Sequence, residues 1–177
     1  YRKRLIESFA AYGIEPTAGL KGANPGAWTE SEAEFGKLDY SRIHLTSLTR
    51  DPDEVFRFLW QNRDVLKLAK GVYSEVLSVR PCMRIDEDGF ALNETVAEFR
   101  QSIKLRASEL KLWKITRPKG MPDSATVEIA GGGALIFDES GRLKFNIHNA
   151  IDNCKRQTKR LEYLWNSGAL SDSTSGA

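Results

Sequence analysis

Two cysteines and two histidines, Cys82, Cys154, His44 and His148, are all that this chain offers for thiol-based nucleophilic catalysis. A thiolate becomes a useful nucleophile when an imidazole takes its proton and an Asn or Asp holds that imidazole in place. Cys82 with His148 is the candidate pair for a Cys/His hydrolase. Against that reading, Cys82 follows Pro81 in an expected strand and Cys154 falls on the apolar side of an expected helix, the usual setting of a small buried residue. Zinc takes three or four ligands at short paired spacings, and His148 with Cys154, six residues on, is the nearest approach to such a pair. No metal site is expected, and no cofactor motif is present.

Three other patterns invite chemistry. Gly131, Gly132 and Gly133 could cradle a phosphate, but a phosphate loop opens a helix and ends near a Lys, whereas these glycines run into Ala-Leu-Ile-Phe-Asp, a strand pattern. An oxyanion loop of the glycine-rich type needs a Gly-x-Ser-x-Gly elbow, which the sequence lacks. Glycine inside a strand pattern marks a bulge, a tight turn or the close approach of another backbone. The acidic run Asp86-Glu87-Asp88-Gly89 resembles the start of a calcium loop, yet the twelfth position, where a bidentate Glu is required, is Ala97. Glu94, Glu98, Asp138 and Glu139 are carboxylates without any pairing legible in sequence, and the last two fall at an expected hairpin turn.

A denser signal lies near the C-terminus. Between Gly141 and Arg160 stand Arg142, Lys144, Lys155, Arg156, Lys159 and Arg160 against Asp152 alone. Lys155 and Lys159, like Arg156 and Arg160, are one helical turn apart, so the four could form a phosphate-tracking face. Aromatic residues that would stack bases are not interleaved with them, since Tyr163 and Trp165 read as core.

The elements that must position these residues follow from periodicity. Leu5, Ile6, Phe9 and Tyr12 predict an N-terminal helix closed by Gly13. Residues 13–41 read as a long loop containing Gly-Leu-Lys-Gly-Ala-Asn-Pro-Gly-Ala-Trp, in which Lys21 and Trp28 are the candidate partner-binding residues. Arg42 to Leu48 alternates like a half-buried strand. Asp51 as N-cap, Pro52 at the first helical position, and Asp53 and Glu54 behind them predict a helix reaching Gly71, with Val55, Phe58, Leu59 and Leu66 inward and Phe56 and Trp60 widening that face. Tyr73 to Ile85 and the stretch around Phe99, Gln101, Ile103 and Leu105 predict a hairpin closed by Asp86 to Gly89. A short helix capped by Ser108 should follow. Ala125 to Ala130 as a strand, the glycines, Ala134 to Asp138 as a strand, Glu139 to Gly141 as the turn and Arg142 to His148 as a strand then form a meander, with Leu143, Phe145 and Ile147 on one face. A closing helix carries Ile151, Cys154, Leu161, Leu164 and Trp165 inward and ends at Gly168.

The expected fold is therefore α+β, a largely antiparallel sheet packed by amphipathic helices, in one domain over residues 1–170 with a polar tail at 171–177. The formal charge of +2 gives no chain-wide field that would by itself draw nucleic acid or an anionic membrane. No apolar run is long enough to span a bilayer, and two cysteines suit a reducing, cytoplasmic compartment better than a disulfide scaffold. Opening at Tyr1 in the middle of an amphipathic stretch, the sequence suggests a processed product or a segment of a longer chain.

The segments RPCMRIDEDGFALNETVAEFRQSIKLRASEL, GGGALIFDESGRLKFNIHN and RQTKRLEYLW, between about Val79 and Trp165, resemble a family of bacterial proteins to which no activity is attached. The resemblance implies a bacterial cytoplasmic protein associated with multi-component systems, defence systems among them, and assigns no catalytic residue. With no complete catalytic constellation, the sequence points first to a non-catalytic interaction or accessory module that meets a protein partner or the remainder of a longer chain. A nucleic-acid-binding domain using the basic helix and a Cys/His hydrolase are the alternatives.

Overall fold

The computed structural model describes residues 37–85 and 89–170. The expected N-terminal helix, most of the loop with Lys21 and Trp28, most of the Asp86 turn and the C-terminal tail lie outside the described residues. A four-stranded sheet is built in sequence order from β1 (Tyr73–Ile85), β2 (Ala91–Arg106), β3 (Thr126–Phe137) and β4 (Leu143–Asn149). With helices α1 (Pro52–Gln61) and α2 (Cys154–Asn166), this antiparallel sheet makes the fold α+β. The chain divides into two compact units, residues 37–101 with Gly131–Ala150, and Ser102–Ala130 with residues 151–170; β2 and β3 pass from one to the other.

In the first unit α1 begins where the sequence predicts. Asp51 is extended, its carboxylate accepts the Asp53 N–H at 2.9 Å, and Pro52 occupies the first turn. It ends a decade early, at Gln61 rather than Gly71. The cause is Asn62, a buried residue whose Nδ2 donates to Asp39 O and to Phe58 O while its Oδ1 accepts the Asp39 N–H at 2.7 Å. That side chain terminates the helix and ties residues 38–41 to it; the chain then turns through Lys67, which has a φ of 55°. The expected strand Arg42–Leu48 is also corrected. Ser47, Leu48, Arg50 and Asp51 donate to carbonyls three or four residues back, so this stretch is a series of turns. The i, i+3 pair Leu45 and Leu48 meets the core there, and the Glu54 carboxylate takes the His44 N–H at 2.8 Å.

The core of this unit joins Leu48, Val55, Phe58, Leu59 and Leu66 to Ala97, Phe99, Leu135, Phe137 and Leu143. Phe58 sits between Tyr40 and Phe137, each ring centroid 5.3 Å away. Between β3 and β4 the register slips at Ile136/Phe137, so that Leu143 pairs with Phe137 but Asn146 with Leu135 and Ile147 with Ala134. The bulge corrects the expected stripe. Leu143 reaches the core, Phe145 and Ile147 face the other way, and Asn146 and His148 take the core side. Gly132 has a φ of 126°, and a Cβ there would lie 2.3 Å from Phe99 O; one on Gly133 would lie 2.0 Å from Ile147 O. The glycines admit the neighbouring backbones of β2 and β4, and β3 runs unbroken through them where two separate strands are expected, because the missing side chains let the ladder continue.

In the second unit a 3-10 helix, Ala107–Trp113, starts from Arg106 rather than Ser108, with the Arg106 N–H bonded to Glu109 Oε2 at 2.7 Å. α2 is capped by Asn153, whose Oδ1 accepts the Arg156 N–H. Ile151 and Leu161 are buried as expected, but the other fully buried member of the helix is Gln157, which donates to Ala130 O and Ile151 O at 2.8 and 3.0 Å. Trp165, half-buried, donates its Nε1–H to Lys119 O.

Candidate functional site

A helix turns about 100° per residue, so Phe56 and Trp60 lie about 100° and 140° around from Val55, away from the arc of Val55, Phe58 and Leu59. The structure keeps them there: Trp60 is 58% exposed and Phe56 39%, where the sequence reading had them widening the core face. Their rings stack at 6.3 Å with an interplanar angle of 22°, and the Arg63 guanidinium lies over the indole, 4.7 Å from its centroid. Beside Trp60 opens a cleft of about 660 Å³ lined by Asp39, Ser41, Arg42, Arg57, Trp60 and Gln61. On the other side a narrow slot runs past Leu59, Leu68 and Phe99.

Hydrogen bonds fix the polar side of the cleft. The Ser41 N–H donates to Asp39 Oδ1 at 2.8 Å, and Gln61 Nε2 donates to the Ser41 hydroxyl at 3.2 Å. The Ser41 N–H, then Gln61 and the Ser41 side chain, hold the Asp39 carboxyl down to a pKa of about 2. Glu54, buried at the foot of α1, takes Arg57 Nη1 at 2.9 Å together with the His44 N–H, so its charge is both paired and hydrogen-bonded. This arrangement presents aromatic surface on α1 with the guanidinium groups of Arg42, Arg57 and Arg63 around it.

The hairpin β1–β2 carries the second exposed apolar surface. Val76 and Val79, three apart, both touch the core, so the alternation of β1 slips between them. Beyond this point Met83 and Ile85 are 70% and 73% exposed, Phe90 is 71% exposed, and Cys82, just before Met83, is exposed as well.

The sequence-predicted residues are dispersed. Cys82 lies on β1 and His148 on β4, where its ring is 6.4 Å from that of Phe99; two strands separate them, about 14 Å at ordinary spacing. Cys154 is half-buried at the start of α2. Glu94 is ion-paired with Lys144 at 3.0 Å, and Glu98 with Arg80 at 2.9 Å. Ser78 first, then Arg80, lowers the Glu98 pKa. Asp138 is the hub of the β3–β4 turn, accepting from Ser140 and Arg142. No cluster of three or more His, Cys, Asp or Glu suited to a metal occurs among the described residues.

The basic helix divides in two. Lys155 and Lys159 are exposed. Arg156 and Arg160 are half-buried, and Arg160 Nη1 donates to Glu128 O at 3.1 Å. Arg156 Nε and Nη1 are buried without a partner among the described residues; this burial, and then the charge of Arg160, lowers its pKa.

Sequence reasoning missed Phe56, Trp60, Arg42, Arg57 and Arg63. The signal was present in the helical angles, which set the two aromatics apart from the apolar arc. Arg42 reaches the cleft only because Asn62 folds residues 38–41 against α1. Comparison with known proteins adds nothing to this geometry, since no family model, no curated protein and no solved structure matches the chain.

Proposed function

We propose that this chain is a non-catalytic interaction module, and that the outer face of α1 is its contact surface. The observation that carries the reading is the Phe56–Trp60–Arg63 stack, exposed beside a cleft although apolar residues of this size are ordinarily buried. Tryptophan and arginine are among the residue types that most often dominate binding energy at protein interfaces, and here α1 carries the two rings while Arg63, just past its end, lies over the indole. The dispersal of Cys82 and His148 favours binding over thiol chemistry. The basic-helix alternative is weakened by the inward placement of Arg156 and Arg160, which leaves Lys155 and Lys159 as the exposed pair of that group. The same proposal takes the family resemblance as its setting, a bacterial cytoplasmic accessory component of a multi-component system, defence systems among them. No helix among the described residues is long and apolar enough to cross a membrane.

The test is photo-crosslinking in living cells of the native host, with a benzophenone amino acid replacing Trp60 in one strain and Leu112, 76% exposed in the other unit, in a second. A discrete protein adduct at position 60 and none at position 112 is expected. Equal labelling at both positions, or none at position 60, overturns the reading.

A further inference from the structure

The charge around Trp60 is unevenly satisfied. Arg57 is neutralised by Glu54, and Lys70, at the edge of the slot, by Asp64 at 2.8 Å. The Asp39 carboxylate accepts from the Ser41 N–H and Asp64 is held by Lys70; each also feels a guanidinium, Arg42 and Arg63 in turn, but as the least of the influences on it and without salt-bridge contact. Arg42, in the cleft, and Arg63, over the indole, have no carboxylate in salt-bridge contact among the described residues. Two guanidinium groups with uncommitted donors thus stand near an exposed aromatic pair. Guanidinium forks match carboxylates in planar, two-point geometry, and aromatic surface between them suits an apolar side chain.

We propose that this face binds an acidic protein segment, with aspartate or glutamate carboxylates at Arg42 and Arg63 and an apolar or aromatic side chain laid along Phe56 and Trp60. The inference rests on the reading of α1 as the contact surface and adds the chemistry of its partner. Charge complementarity selects the occupant. A second copy docking through the same face would bring Arg42 and Arg63 of both copies into one interface, with the hydrogen-bonded Asp39 as the cleft's carboxylate to offset them. A single-stranded nucleic acid needs a continuous cationic track for its phosphates as well as aromatic faces, and here Arg57 and Lys70 are already paired with Glu54 and Asp64. The cleft volume falls within the range that accommodates several side-chain groups.

Fluorescence anisotropy with three labelled probes tests this on the full chain: a short peptide of glutamates interspersed with tryptophan and leucine, the same peptide with glutamine for each glutamate, and a single-stranded oligonucleotide. The acidic peptide should bind, more weakly as salt is raised, and the glutamine version should bind at least about tenfold more weakly. Combined Arg42→Glu and Arg63→Glu should abolish acidic-peptide binding, whereas Lys155→Glu with Lys159→Glu should leave it within about twofold, since solvated lysines remote in sequence contribute little to a docked pair. Arg42→Ala with Arg63→Ala, checked by thermal melting, separates lost binding from lost folding. Equal affinity for both peptides, unchanged binding by a folded arginine variant, preferential binding of the oligonucleotide, or no binding of the acidic peptide each overturns the proposal. Crosslinking at Trp60 to a partner without an acidic segment removes this inference and leaves the contact surface standing.

Discussion

Helices α1 and α2 are built alike and face their surroundings differently. Each has a side-chain cap, Asp51 in one and Asn153 in the other, and each carries one apolar arc. In α1 the buried positions include Val55, Phe58 and Leu59, and aromatic surface is left over on the outside. In α2 the buried pair is Gln157 and Leu161, and cationic side chains are drawn partly in: Arg156 and Arg160 flank that arc, while Lys155 and Lys159 stand opposite it. The difference shows that amphipathicity assigns residues to a face but does not set how much of that face is covered. Uncovered aromatic area on α1 is the surface proposed here for contact. Covered arginine on α2 has the form of a structural compromise, because desolvating a guanidinium costs free energy unless it is paired.

The largest predicted effect separates the two sides of α1. Phe58→Ala removes a ring packed between Tyr40 and Phe137 and should cost about 3–5 kcal/mol in urea unfolding, whereas Trp60→Ala should cost less than about 1 kcal/mol while lowering the peptide affinity. Comparable losses in stability for the two would erase the distinction between core and contact face.

On α2 the expectation is of opposite signs within one turn. Gln157→Leu strands the Ala130 and Ile151 carbonyls and should destabilise by about 1–3 kcal/mol. Arg156→Met keeps the aliphatic packing and relieves an unpaired, desolvated charge, so thermal melting should be unchanged or higher. A clear drop for Arg156→Met would mean that its guanidinium has a stabilising partner, and α2 would then be less of a contrast to α1.

The smallest effect concerns acid. Because the folded-state pKa of Asp39 is depressed, the support that its carboxylate gives residues 39–41 is present above the unfolded value, near 3.9, and is lost as pH falls through about 2. The Ser41 amide resonance should therefore titrate near that pH and cease to do so in Asp39→Asn. An unshifted carboxylate-like midpoint in the native protein would show that the cleft wall is not held by this group.

Much of the fold was legible because backbone chemistry is local. The Asp51–Pro52 start, the long hairpin and the presence of a final amphipathic helix all follow from residue types at fixed offsets, although that helix begins at Cys154 behind the Asn153 cap and not before Ile151. Three features were not. The end of α1 at Asn62 depends on Asp39, 23 residues away, and propensity through Leu66 gave no sign of it. The bulge at Ile136/Phe137 inverts the facing of Phe145 and Ile147, a change that alternation cannot register because it assumes an unbroken period. Arg42 to Leu48 alternates well enough for a strand but contains the i, i+3 spacing that its turns use. Of the candidate site, Trp60 and Phe56 were legible as helix residues and misassigned to the core; Arg42 and its neighbours were invisible, since their proximity to Trp60 is made by the tertiary fold.

The sequence by itself determined the α+β class, where most elements begin, and the need for glycine where β3 meets its neighbours, because caps, periods and missing side chains act within a few residues. Tertiary structure decided which apolar and cationic side chains are covered. Coverage depends on a surface supplied by distant parts of the chain, and an aromatic ring is core or contact according to whether that surface arrives.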